Sequence, residues 1–163
     1  MSDTLAVKIR PYEAGDEAML VHSWLESYHD VPTVAWAPRG TWLRIAHDRI
    51  EAALADPKST VLVACNPESP SQIFGWLCGE GYCLHYVYVK LTYRGLGIAR
   101  GLVEEWMRDA PRKSVVVSHW AGICEDIKSL ECVYRPGEWW TKRQLVLAKA
   151  RHAKARYPHA KAQ

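Results

Sequence analysis

No run in the chain approaches the ~20 apolar residues that a membrane span needs, which excludes a transmembrane helix. The start, MSDTLAVKIRPYEAGD, lacks a basic region followed by an apolar core, so no secretory signal is read and a cytoplasmic location is expected. The cysteines, Cys65, Cys78, Cys83, Cys124 and Cys132, are odd in number and contain no C-x-x-C pair. Neither a disulfide framework nor a zinc knuckle is signalled, no metal is expected, and the thiols are expected to be buried. Acids are absent after Glu138, where seven of the 21 Lys and Arg residues lie and none of the 18 Asp and Glu. The tail therefore carries +7 and residues 1–138 carry −4. There is no internal repeat and no composition break that would mark a second folded domain.

What is present fits one domain with a substantial core: 163 residues, 48% of them hydrophobic. LAVKIR alternates Leu5, Val7 and Ile9 in a period-2 strand pattern that Pro11 limits. Asp16 sits where a helix N-cap belongs, and Leu20, Val21, Trp24, Leu25 and Tyr28 recur at helical spacing. After the loop HDVPTVAWAPRG, a second helix is read from Trp42 to Leu54, ending at Asp56-Pro57. TVLVAC and QIFGWLCGE read as a hairpin around NPESPS. YCLHYVYVK presents Tyr82, Leu84, Tyr86 and Tyr88 on one face and Cys83, His85, Val87 and Val89 on the other; neither face is charged, so a central strand covered on both sides is expected. Ile98, Leu102, Val103, Trp106 and Met107 mark a third helix closed by Pro111, SVVVSHW reads as a buried strand, and ECVY as a short last one.

The informative stretch is HYVYVKLTYRGLGIARGLVEEW, residues 85–106, where a strand turns into a helix through Arg94-Gly95-Leu96-Gly97-Ile98-Ala99. The first N–H groups of that helix lack internal partners, and their positive end suits an anion. Glycine at 95 and 97 lets the main chain come close to a phosphate. A P-loop would need Lys and then Ser or Thr after the second glycine, where Ile98-Ala99 stands. A dinucleotide fingerprint would need a third glycine, where Arg100 stands, and a place near the first strand.

The turn resembles that of the GNAT superfamily of acyl-CoA-dependent N-acetyltransferases. The family signature R/Q-x-x-G-x-G/A is matched by Arg94-x-x-Gly97-x-Ala99, and the preceding Val-x-Pro by Val89-Lys90-Leu91, with only the proline replaced. IRPYEAGD at the start, the Phe74-Gly75-Trp76 strand and the order of elements over residues 5–119 extend the likeness. The resemblance implies a three-layer α+β fold, a mixed, mostly antiparallel sheet flanked by helices. On this reading a GNAT-like domain is expected over residues 1–138, with a basic helical extension over residues 139–163. It implies acetyl-CoA as co-substrate, with its pyrophosphate on the N–H groups of Arg94, Gly95, Leu96, Gly97, Ile98, Ala99 and Arg100. The pantetheine arm would lie along Val87, Tyr88 and Val89, and the Val89 N–H would polarise the thioester carbonyl.

Acetyl transfer to an amine needs a base, stabilisation of an oxyanion, and a proton for the leaving thiolate. His85 is the chosen base, since an imidazole with a pKa of about 6.5 accepts a proton near neutrality; Glu80 and His119 are reserves, and a packed, carbonyl-bound imidazole is the plain alternative. Cys83 is read as packing, because an apolar surround raises a thiol pKa. Family members carry an acidic tyrosine in a pattern like L-Y-x-x-x-G-F, and Val133-Tyr134-Arg135-Pro136-Gly137-Glu138-Trp139 matches it in part, which selects Tyr134 as the acid. ICEDIKSLEC is a short substitute for the family's fourth helix, and the basic tail stands where a closing strand belongs.

The loop between the first two helices borders the acceptor site in this family, which points to Tyr28, His29 and Trp36 beside Asp30, Arg39 and Trp42. Few carboxylates stand there, so a polycationic acceptor is disfavoured and the class of amine stays open. The tail KRQLVLAKARHAKARYPHAKAQ could track a phosphate backbone, with Trp139, Trp140 and Tyr157 to stack on bases, or be a solvated helix. Two further readings therefore stand beside the acetyltransferase: a nucleic-acid-modifying or nucleic-acid-binding protein on the same fold, and an acyl-CoA-binding module without turnover. The oligomeric state is left open, a dimer included.

Overall fold

A computed structural model of the chain describes residues 5–27, 38–109, 114–118 and 131–134. Among these residues six strands form one sheet in the spatial order of the sequence: β1 (Lys8–Pro11), β2 (Ser59–Cys65), β3 (Ile73–Glu80), β4 (Cys83–Val89), β5 (Ser114–Val117) and β6 (Glu131–Tyr134). The first four pair antiparallel, and β5 joins β4, and β6 joins β5, in parallel. The three described α-helices are α1 (Glu17–Ser27), α2 (Arg39–Ala55) and α3 (Ile98–Trp106).

Strand alternation distributes the core to both faces of the sheet. Val61, Val63 and Cys65 of β2 pack with Leu20, Val21 and Trp24 of α1 and Ala46, Ile50 and Ala53 of α2. Leu62 and Ala64 point the other way, onto Ile98, Leu102 and Val103 of α3. The fold is the expected three-layer α+β arrangement, helices covering both faces of a mixed, mostly antiparallel sheet. Among the described residues no helix is long and apolar enough to cross a membrane.

Three local expectations change. Strand β1 is shorter than LAVKIR suggests and includes Pro11, which is tolerated because it closes an edge strand. A 3-10 turn, Ala14–Asp16, precedes α1, and the Asp16 carboxylate accepts from the Glu13 N–H at 2.9 Å and from both terminal nitrogens of Arg10 at 2.7 and 2.9 Å. Asp16 thus fastens β1 to the start of α1. Lastly, the single alternation read along β4 is broken. Cys78 pairs with Tyr86 but Gly79 with Leu84, so His85 is an extra, bulged residue. Leu84, Val87 and Val89 consequently share the α3 face, whereas Tyr86 and Tyr88 lie with Trp24 and Trp76 on the other.

Candidate functional site

The bulge at His85 is where the sheet opens. Strand β5 pairs with β4 only at Cys83↔Val116 and Leu84↔Val117, and the last cross-links are Ser118 N–H to the Leu84 carbonyl at 3.2 Å and Ser118 Oγ to the His85 carbonyl at 3.2 Å. Beyond that point, among the described residues, β4 pairs on the β3 side alone. Lys90 N–H donates to the Phe74 carbonyl on β3 at 2.9 Å. Alternation back along the strand turns Tyr88 to β3 as well, and directs the N–H and C=O of Val87 and Val89 to the opposite, open edge. The Val89 carbonyl agrees with this, since it accepts from Arg94 Nε at 3.0 Å.

A 3-10 turn, Leu91–Tyr93, carries the chain from β4 into the glycine bend. Gly95 and Gly97 have φ of 79° and 78°, the left-handed region where an L side chain is strained. A Cβ built on either meets nothing within 4 Å, so the glycines answer a backbone demand and leave open space in front of the turn. Gly97 is the N-cap of α3 and supplies no side chain, and the first helical bond runs from Gly101 N–H to the Gly97 carbonyl at 2.9 Å. Among the described residues no acceptor meets the backbone N–H groups of Gly95 through Arg100. A row of amides at the positive end of a helix, without acceptors among the described residues, is suited to phosphate oxygens.

At the closed end of the opening the hairpin turn Gly81-Tyr82 brings three polar groups together. Its glycine has φ of 55°, as the first position of a two-residue hairpin loop requires. His85 is 5% exposed, with Nδ1 3.7 Å from Cys83 Sγ and Nε2 3.8 Å from Glu80 Oε2. Sequence reasoning treated Glu80 and Cys83 separately; the two-residue loop in EGYC was the signal that they face each other. On the α1 face, Tyr86 stacks on Trp24 at a centroid distance of 4.9 Å and tilts against Trp76 at 5.1 Å. The Trp76 indole donates to Ser23 Oγ at 2.9 Å. Burial pushes the Tyr86 phenol up, against a weaker opposing hydrogen bond from Ser27. Burial likewise pushes the Cys78 thiol up to about 12, so Cys78 remains a protonated core residue.

The structure thus brings His85, Val87, Tyr88, Val89 and the segment Arg94–Arg100 along one continuous strand and turn. Tyr134 is the last residue of β6, in register with Val117. Tyr28, His29, Trp36, His119 and the basic extension lie outside the described residues. His47, Asp48 and Glu51 form a partly exposed group on α2 with ligand-type atoms within 4.8 Å of one another. An exposed surface group of that kind also occurs without an ion.

No family model matches the sequence, and no curated protein does. Solved structures do match. The chain resembles a histone acetyltransferase HPA2 and related acetyltransferase from Corynebacterium glutamicum with a TM-score of 0.50 and 18% identity, over 65% of this chain and 72% of that one. It matches apo YjaB from Escherichia coli with a TM-score of 0.48 and 24% identity, over 65% and 67% of the two chains. A ribosomal-protein-alanine N-acetyltransferase from Brucella melitensis biovar Abortus matches with a TM-score of 0.46 and 17% identity, over 86% and 88%. The fold is GNAT-like, and at 18% identity the likeness to the Corynebacterium protein is one of fold alone.

Proposed function

We propose that this chain is an acyl-CoA-dependent N-acetyltransferase that passes an acetyl group from acetyl-CoA directly to an amine. The observation that carries the reading is the row of N–H groups from Gly95 to Arg100 that meet no acceptor among the described residues, placed at the end of a strand that beyond His85 pairs, among those residues, on one edge alone. Acetyl-CoA, when bound, supplies an acyl group activated as a thioester. The residues fit it: the amides of the turn would receive its pyrophosphate, and the outward N–H and C=O groups of Val87 and Val89 match an amide-bearing arm, as an added strand would.

The Val89 N–H, with that of Val87 on the same edge, is the donor assigned to the thioester carbonyl, where it stabilises negative charge as it develops. His85 takes the proton of the attacking amine, and Tyr134 returns one to the departing thiolate. Tyr28, His29 and Trp36 are assigned to the acceptor. Positioning the two reactants beside each other can supply much of the rate without an intermediate bonded to the protein.

Calorimetry with acetyl-CoA on the wild type and on Gly97→Trp tests this reading. Binding that is lost in the variant, together with acetyl-CoA-dependent thiol release on adding an amine, supports it. Absence of heat from the wild type would remove it.

A further inference from the structure

The end of β4 lies closer to β3 than two residues with side chains could bring it, and Gly75 is the residue that makes room. Gly75 stands opposite Val89 in the antiparallel register, and Lys90 N–H donates to the Phe74 carbonyl just beyond that pair. A bond in that place makes Gly75 and Val89 a non-hydrogen-bonded pair, the closer of the two types, and leaves the N–H and C=O of Val89 directed away from β3. A Cβ on Gly75 would stand 2.5 Å from the Tyr88 carbonyl oxygen, 3.1 Å from Val89 Cγ2 and 3.2 Å from Val89 Cα. Facing β carbons across paired strands ordinarily lie about 4.5–5.5 Å apart. Two of the three crowded atoms belong to the backbone of β4, so no turn of a side chain would relieve them. The strand itself would have to retreat, by about 1 Å to restore an ordinary contact of roughly 3.5 Å.

We propose that Gly75 is a positioning residue for acetyl-CoA: lacking a β carbon, it lets the Tyr88–Val89 backbone seat against β3 and so fixes where the Val89 N–H stands on the opposite edge. The proposal rests on the acetyltransferase reading, in which that N–H meets the thioester carbonyl. Gly75 touches no reactant and acts through the backbone of β4. Beyond His85 that backbone pairs, among the described residues, with β3 alone, so its place is set from the β3 side. The bond from Arg94 Nε to the Val89 carbonyl, at 3.0 Å, would pass a displacement of Val89 on to the glycine turn. A misplacement of about 1 Å can cost about a hundredfold in rate. Gly79 on the same strand supplies the contrast, since the space it leaves is taken by the Trp106 indole, 2.6 Å from a Cβ built there, and not by β4. Both positions are crowded, but only Gly75 is crowded by the strand that carries the site.

The test is acetyl-CoA calorimetry and backbone NMR on the full chain as wild type, Gly75→Ala and Gly79→Ala, with urea unfolding to find conditions in which each variant is folded. Gly75→Ala is expected to bind acetyl-CoA at least about tenfold more weakly, whereas Gly79→Ala, overpacked as well, binds it like wild type. In wild type the Hα–Hα cross-peak between Gly75 and Val89, the mark of a close pair, persists when acetyl-CoA is added, and the Val89 amide moves downfield as it gains an acceptor. In Gly75→Ala that amide shift is lost, a change that lowered stability alone would not bring. Equal affinity of wild type and Gly75→Ala, or an equal loss in both variants, overturns the proposal. Disappearance of the Gly75–Val89 cross-peak when wild type binds acetyl-CoA overturns it as well, and that measurement decides even where a variant does not fold. Wild type that binds no acetyl-CoA would instead strike the acetyltransferase reading.

Discussion

Arg94 Nε donates to the carbonyl of Val89 at 3.0 Å, joining the arginine of the glycine turn to the last residue of β4. The contact closes a small loop over residues 89–94 and sets the angle at which the strand meets the amide row. It uses Nε, the one donor on the guanidinium that a lysine cannot supply at that position along the side chain.

Arg94→Ala and Arg94→Lys are therefore both expected to weaken acetyl-CoA binding, by about tenfold, or ~1.4 kcal/mol, in the range of one hydrogen bond to a charged group that is partly solvated. Calorimetry measures it. Lysine binding like wild type would show that charge alone matters and that the Val89 contact does not.

Gly97→Ala isolates a backbone effect, because φ is 78° while the added methyl meets nothing within 4 Å. Strain of roughly 1–2 kcal/mol is expected from an L residue in the left-handed region. Gly15→Ala is the matched control, equally uncrowded but without a positive φ, and should be nearly neutral. Urea unfolding of the two variants separates them; equal stability would mean that the turn relaxes without cost.

How much of this could be read beforehand depended on how local each feature is. Strand β2 was legible because both sheet faces are apolar and the alternation of Val61, Leu62, Val63 and Ala64 is unbroken. The glycine bend was legible because a positive φ between a strand and a helix is a demand of the chain on itself. The bulge was not, since His85 is neither glycine nor proline and its extra place exists only in register with Cys78 and Gly79. Its consequence was to move Val87 and Val89 to the face opposite the one that a strict period of two would pair with Cys83. Asp16 was misread for a related reason. An Asp before a helix can bond helix amides or a distant guanidinium, and only the return of β1 beside α1 selects Arg10.

A Cβ on Gly79 would stand 2.6 Å from Cε2 and 2.7 Å from Cζ2 of Trp106. The partly buried indole of Trp106 on α3 packs against β3 at that point and has to shift to admit a methyl group. Gly79→Ala should cost about 1–3 kcal/mol as overpacking. Adding Trp106→Leu should recover part of that loss, so the pair couples in a double-mutant cycle read by urea unfolding. Additive effects would place the strain elsewhere.

Arg10 and Asp16 form a largely buried ion pair, with side chains 10% and 7% exposed. Burial pushes the Asp16 carboxyl up, but the hydrogen bonds from Arg10 and from the Glu13 N–H outweigh it and hold the carboxyl below its ordinary 3.8. Because the folded value is the lower one, the contribution to stability is complete above about pH 4 and is lost as pH falls through the folded value. Asp16→Asn leaves the buried guanidinium without its counter-charge and should destabilise the protein at pH 7 by roughly 3 kcal/mol. The exposed Glu13, 3.9 Å from the same nitrogen, cannot compensate, since a solvated pair contributes little. Urea midpoints followed from pH 6 to pH 3 should fall more steeply for wild type than for Asp16→Asn, and the two curves should converge at the acid end. Parallel curves would assign the acid sensitivity of this fold to other carboxylates and leave the anchor between β1 and α1 a matter of packing alone.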